Sequence, residues 1–142
     1  MTTKIQDGTW QQLEEAALEV QHHAYAPYSH FKVGAALITA DGNIYRGCNV
    51  ENVSYGLAIC AERSAISAMV SAGEDSPVAL VIVTKAQQPG PPCGMCRQVL
   101  AEFADELPIR LISTTPGVEP VTTTLSALLP MAFRPNMLPS SR

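Results

Sequence analysis

Val78-Ala79-Leu80-Val81-Ile82-Val83-Thr84 is a short, nearly unbroken apolar run, and a Pro/Gly-rich stretch, residues 87–92, follows it. Such a run reads as a buried strand, shielded on both faces. Residues 94–106 then read as a helix and residues 109–113 as another strand. Upstream, residues 61–72 suit a helix that ends near Gly73. Residues 31–39 and 44–48 are β-like on either side of Asp41-Gly42, a hairpin turn signal. Before them, Thr9-x-x-Gln12 resembles a capping box. Trp10, Leu13, Ala17, Val20 and Ala24 share one helical face, so residues 9–24 read as an amphipathic helix that Ala26-Pro27-Tyr28-Ser29 breaks. Downstream, residues 121–124 read as a short edge strand, 125–129 as a short helix and 134–142 as a loose tail. This order predicts an α/β fold, a mixed sheet with helices on both faces.

The chain has 142 residues, which fits one domain, residues 1–142. At that length roughly two-thirds of the unfolded surface can be buried, so no covalent staples are needed. Apolar residues make up 46% and charged residues 15%, as in a compact soluble protein, and the net charge of −4 argues against a nucleic-acid or acidic-membrane partner. No apolar run approaches the ~20 residues of a membrane span. The first residues lack the apolar core of a signal peptide, so a cytoplasmic location is expected, where cysteines stay reduced. The sequon Asn52-Val53-Ser54 is then a chance match.

Four cysteines in such a compartment point to a metal before they point to disulfides. Three stand in informative settings: Cys60-Ala61-Glu62, and Pro92-Cys93-Gly94-Met95-Cys96. Three thiolates fill three corners of a tetrahedral zinc ion and leave the fourth for water. A carboxylate beside that corner, Glu62, is placed to take a proton from water and hand it on. Both clusters open a predicted helix, where the helix dipole favours thiolates. Three thiolates also make zinc electron-rich, and Arg63 is positioned to offset this by donating hydrogen bonds to them. A Cys-x-x-Cys alone would fit a redox motif or a closed structural site with Cys48 as fourth ligand. Glu62 weighs against both, and Cys48 reads as a small strand residue. His22 and His23 point about 100° apart on a helix and do not share an ion, and these two and His30 read as surface residues.

A Cys-x-Glu segment with Pro-Cys-x-x-Cys is similar to the zinc deaminase pattern. Over roughly residues 10–133 the chain resembles the small, homotetrameric cytidine deaminases that act on free nucleosides. The segments that carry the resemblance run from Ala26-Pro27-Tyr28-Ser29-His30-Phe31 and Val33-Gly34-Ala35-Ala36-Leu37 through Gly47-Cys48-Asn49-Val50-Glu51-Asn52 and Cys60-Ala61-Glu62-Arg63. They continue through Pro92-Cys93-Gly94-Met95-Cys96-Arg97-Gln98 to Leu128-Leu129-Pro130-Met131-Ala132-Phe133. The resemblance implies a three-layer α/β/α sandwich on a mixed five-stranded sheet. It implies zinc on Cys60, Cys93 and Cys96, with Glu62 as proton shuttle between water, ring N3 and the departing amino group. It implies contacts of the base with the Ala61 carbonyl and the Cys93 N–H, of the ribose 3′-hydroxyl with Asn49 and Glu51, and an aromatic wall at Phe31. Phe133 and Tyr55 would serve a neighbouring subunit's site in a homotetramer, in pyrimidine salvage. A related deaminase of blasticidin S would share the zinc segments but lack Asn49-x-Glu51. Pro91, Met131 and Val53 depart from the residues usual at their places, serine, a small residue and alanine respectively.

Overall fold

The computed structural model describes residues 4–139. Five strands form one sheet: β1 (Gly34–Thr39), β2 (Ile44–Cys48), β3 (Pro77–Thr84), β4 (Pro108–Ser113) and β5 (Val121–Thr124). Their order is β2-β1-β3-β4-β5. β3 and β4 run parallel, and the other neighbouring pairs are antiparallel. Four α-helices accompany them: α1 (Asp7–Gln21), α2 (Ala61–Ser71), α3 (Gly94–Phe103) and α4 (Leu125–Leu128). The mixed five-stranded sheet between helical layers is the one the sequence predicts.

β3 creates the layers. Successive strand residues point to opposite faces, and here both faces are apolar. Ala79, Val81 and Val83 pack with Trp10, Leu13 and Ala17 of α1. Leu80 and Ile82 pack on the other face with Ala61, Ala65, Met69 and Leu100 of α2 and α3. Each fully buried Leu, Ile or Val side chain in these two cores contributes about 1.5–3 kcal/mol. Because β3 and β4 are parallel, the chain must cross a face of the sheet between them, and α3 makes that crossover.

Two glycines bring helices unusually close to the strands. A Cβ on Gly34 of β1 would lie 2.1 Å from the Ala17 carbonyl oxygen of α1, and a Cβ on Gly47 of β2 would lie 2.3 Å from the Ala65 nitrogen of α2. The backbones touch there with no room for a side chain. Gly42, with φ +86°, turns the β1–β2 hairpin, and its N–H donates to the Thr39 carbonyl.

Several boundaries differ from the sequence reading. α1 starts at Asp7 with Gln6 as N-cap and no side-chain cap, so Thr9 is an interior residue and not part of a capping box. Asp7 supplies negative charge to the first turn instead. The helix stops at Gln21. Residues 22–24 form a turn, after which Tyr25 donates to the Asn49 carbonyl and accepts from the Glu51 N–H. β1 begins at Gly34 and not at Phe31, since Phe31 and Val33 bond to the Asn49 side chain. α3 ends at Phe103, three residues early, where Arg134 takes its last carbonyls: Nη1 lies 2.9 Å from the Ala101 oxygen and 2.8 Å from that of Ala104. Arg134 is therefore anchored, and residues 135–137 form a 3₁₀ turn, while residues 140–142 of the expected tail lie outside the described residues. Among the described residues no helix is long and apolar enough to cross a membrane.

Candidate active site

Cys60 is the N-cap of α2 and Cys93 the N-cap of α3, both with extended backbone. The two helices abut on the same face of the sheet, so their first turns converge. The Cys60 and Cys93 sulphurs are 3.8 Å apart and those of Cys93 and Cys96 3.4 Å, and all three lie within 4.8 Å of one another. Ligands about 2.3 Å from a tetrahedral zinc ion stand about 3.8 Å apart. The donor set, three sulphurs at this spacing, fits zinc. Cys48 lies outside the cluster, in β2.

The sulphurs share their charge unequally. Cys60 is held down to about 5, first by a hydrogen bond from the Cys96 thiol and then, against desolvation, by Arg63 and Cys93. Cys96 is pushed up, first by its bond to Cys60 and then by burial. Arg63 holds its Nη2 3.0 Å from the Ala58 carbonyl and 4.0 Å from the Cys60 sulphur. That puts its guanidinium on the thiolate side of the cluster. Glu62, in the first turn of α2, is only 5% exposed. Burial raises its pKa, and the neighbouring Cys60 charge adds to the effect. A buried carboxyl beside three sulphurs is equipped to hold and release a proton.

Phe31, Asn49, Cys60, Ala61, Glu62 and Cys93 line one cleft of about 260 Å³. The Asn49 amide builds part of its wall: Oδ1 accepts from the Val33 N–H and Nδ2 donates to the Phe31 carbonyl, both at 2.8 Å. Glu51 and Tyr55 line a separate hollow of about 320 Å³ with Tyr28, Ser29, Asn52 and Ala58. The Glu51 carboxylate accepts from the backbone N–H groups of Tyr28 and Ser29, at 3.0 and 3.1 Å, and from the Ser29 hydroxyl. The Ser29 hydroxyl, followed by the Ser29 N–H, holds its pKa below the usual range. Phe133 lines neither space and is 58% exposed. Its carbonyl accepts from Gln98 Nε2 of α3 at 2.8 Å.

The sequence reading gave no site role to Val33, Ile82, Thr84 and Gly90, which also line the cleft, as does Pro91, noted there only as a departure from the usual serine. For Ile82 and Thr84 the signal was available. Ile82 and Thr84 end a strand that runs parallel to its neighbour, and ligand crevices form at the carboxyl ends of such strands. Gly90 lies against Thr84, where a Cβ would come within 3.3 Å of its methyl carbon.

Residues 8–109 match the family model described as "Cytidine and deoxycytidylate deaminase zinc-binding region". The cytidine deaminase of Halalkalibacterium halodurans is 44% identical over 124 residues, which is 87% of this chain and 92% of that protein. The cytidine deaminase of Mycobacterium tuberculosis is 43% identical over 136 residues, 96% of this chain and 98% of that one. In three dimensions the chain is similar to the crystal structure of cytidine deaminase from Burkholderia pseudomallei. The TM-score is 0.82 at 45% identity, covering 87% of this chain and 98% of the other. With the sulphur triad, the buried glutamate and the sheet that carries them in agreement, the chain belongs to the cytidine and deoxycytidylate deaminase zinc-binding family.

Proposed function

We propose that the chain hydrolyses cytidine and 2′-deoxycytidine to uridine and 2′-deoxyuridine, releasing ammonia, as a zinc enzyme of pyrimidine salvage. The observation that carries this is the burial of Glu62 in one cleft with Cys60 and Cys93. The names and close similarity of the relatives support the substrate. Cys60, Cys93 and Cys96 hold the zinc, which when bound acts as a Lewis acid that brings the pKa of water from about 15.7 towards 7. Glu62 takes a proton from water and gives it to ring N3 as oxygen adds to C4, then takes the remaining proton of the new C4 hydroxyl and passes it to the amino group, which leaves as ammonia while the C4 carbonyl forms. Arg63 balances the charge on the thiolates. The Ala61 carbonyl and Cys93 N–H hold the base, and Phe31 forms an aromatic wall of the cleft.

Glu51 holds the ribose 3′-hydroxyl. A carboxylate offers about four acceptor positions, and three are taken by Tyr28 and Ser29, which leaves one for the sugar. Asn49 keeps one amide hydrogen beyond its bond to Phe31. Self-association to a homotetramer completes the site: Phe133 stacks on the base, and Tyr55 reaches the ribose pocket, of a neighbouring copy. The exposure of Val53, Tyr55, Leu57 and Phe133, each at least 58% accessible, supports such an interface. Sedimentation of the fully active protein as a monomer would remove this part of the reading.

The test of the chemistry is Glu62→Gln. Loss of the proton shuttle lowers cytidine turnover at least ~100-fold in an ultraviolet assay, with zinc content and thermal stability retained. Normal turnover by the variant would exclude the role given to Glu62.

A further inference from the structure

A second cavity, about 540 Å³, shares Phe31 as a wall with the zinc cleft. His22, His30, Lys32 and Lys85 also line it. In a chain of net charge −4, two of the three lysines and two of the three histidines face one space. No acidic residue is part of its lining, and among the described residues neither lysine makes an ion pair. The concentration of positive charge is therefore uncompensated from within.

The fold holds these groups in place. His22 is the residue after α1, and Lys32 Nζ donates to its carbonyl at 3.2 Å. An ammonium has three donors, so two remain. The Lys32 backbone is pinned as well, because Gln21 Nε2 donates to its carbonyl at 3.1 Å. His30 is in the left-handed region, φ +58°, a conformation that costs a residue with a side chain some strain. Lys85 and Thr114 follow the carboxyl ends of β3 and β4, the parallel pair, and the Thr114 N–H donates to the Thr84 carbonyl at 2.8 Å. Crevices at that end of parallel strands are where open α/β sheets bind ligands.

We infer that this cavity binds a phosphate group, with Lys32 and Lys85 supplying the charge and His22 and His30 further ring N–H donors. Lysine binds phosphate as a compact point charge, and hydrogen bonds to an ionised acceptor are stronger than neutral ones. The volume exceeds the needs of a lone anion and falls in the range of small-molecule sites, about 300–1,000 Å³. The phosphate is thus that of a small phosphorylated metabolite, or free inorganic phosphate with the same chemistry.

Calorimetric titration of the full-length, zinc-loaded protein tests this at an ionic strength of about 0.1 M, where the Debye length is about 10 Å and charges farther away are largely screened. Inorganic phosphate and adenosine 5′-monophosphate are the two probes. Each should saturate one site per chain. Lys32→Gln/Lys85→Gln should weaken binding at least ~10-fold. Lys4→Gln/Arg110→Gln removes the same net charge from groups that do not line the cavity and, among the described residues, have no carboxylate partner, and should leave affinity within about twofold, given the screening of distant charges. Tighter binding of the nucleotide assigns the site to a phosphorylated metabolite, and equal affinities assign it to free phosphate. Failure of both probes to saturate, or equal loss in the two double variants, overturns the inference.

Discussion

The sulphurs of Cys60 and Cys93 lie 3.8 Å apart although 33 positions separate the residues in the chain. Two helix starts, each delivered by its own loop, meet at that point. The sulphur cluster is therefore a cross-link between α2 and α3 once a cation neutralises it. Chelation of zinc should lower the melting temperature by at least ~5 °C, since a ligand that binds only the native state adds stability in proportion to its affinity. Differential scanning fluorimetry before and after verified metal removal checks this. An unchanged melt would mean that the three sulphurs do not join the helices through a metal.

The carboxylate of Glu51, three-quarters occupied by Tyr28 and Ser29, sets the expectation for substrate analogues. 2′-Deoxycytidine should remain a substrate. 3′-Deoxycytidine should lose at least ~10-fold in kcat/KM, the cost of one charge-assisted hydrogen bond. Glu51→Gln should narrow that gap by weakening binding of cytidine itself. Equal use of cytidine and 3′-deoxycytidine by the unmodified protein would take Glu51 out of the sugar site.

Gly47→Ala tests the contact between β2 and α2. The new methyl would sit 2.3 Å from the Ala65 nitrogen and 2.5 Å from the Ala61 oxygen, both backbone atoms that cannot rotate away. Overpacking of this kind costs about 1–3 kcal/mol, read as a lower urea midpoint. Because Ala61 lies between Cys60 and Glu62, zinc affinity should fall with it. A variant as stable as the parent would show that α2 shifts at little cost.

Glu74 gives a pH signature. Its carboxylate accepts from Thr39 Oγ1 at 2.6 Å, from Asn43 Nδ2 at 3.0 Å and from the Tyr45 hydroxyl. The bond from Thr39, then that from Tyr45, lowers its pKa below the ordinary value. A depressed native pKa stabilises the fold above the unfolded value, about 4.3, and that stability is lost as pH falls through the native value. Glu74→Gln should therefore be less stable than the parent at pH 7. The difference should close in acid, where Glu74 is protonated and resembles glutamine. Urea melts between pH 7 and pH 3 decide it, and a difference that does not change with pH would contradict the bonding scheme.

Much of this was legible because it is local. The apolar run of β3 carries the signature of a strand with two cores, and Cys60-Ala61-Glu62 and Cys93-x-x-Cys96 name their chemistry by spacing alone. What stayed hidden depends on contacts between distant residues. α3 stops at Phe103 because Arg134, 30 or more positions later, takes its terminal carbonyls. Residues 31–33 have strand composition but leave the sheet because the Asn49 amide offers them the same hydrogen bonds a neighbouring strand would. The division of Asn49 and Glu51 between a cleft and a separate hollow is likewise a matter of chain path. Alternation along an extended segment predicts a common face for the pair and nothing more.

α3 carries metal ligands on its first turn and the C-terminal segment along its side. Arg97 reaches from the Pro92 carbonyl to that of Leu128, at 2.8 and 2.7 Å, Gln98 grips Phe133, and Arg134 closes the far end. The helix is thus a common chassis on which an interior centre and an outward-facing aromatic ring are mounted with no hinge between them. In the homotetramer proposed above, a copy with a misplaced metal helix would also offer its neighbours a misplaced Phe133, so faulty subunits would be rejected at assembly rather than later, during turnover.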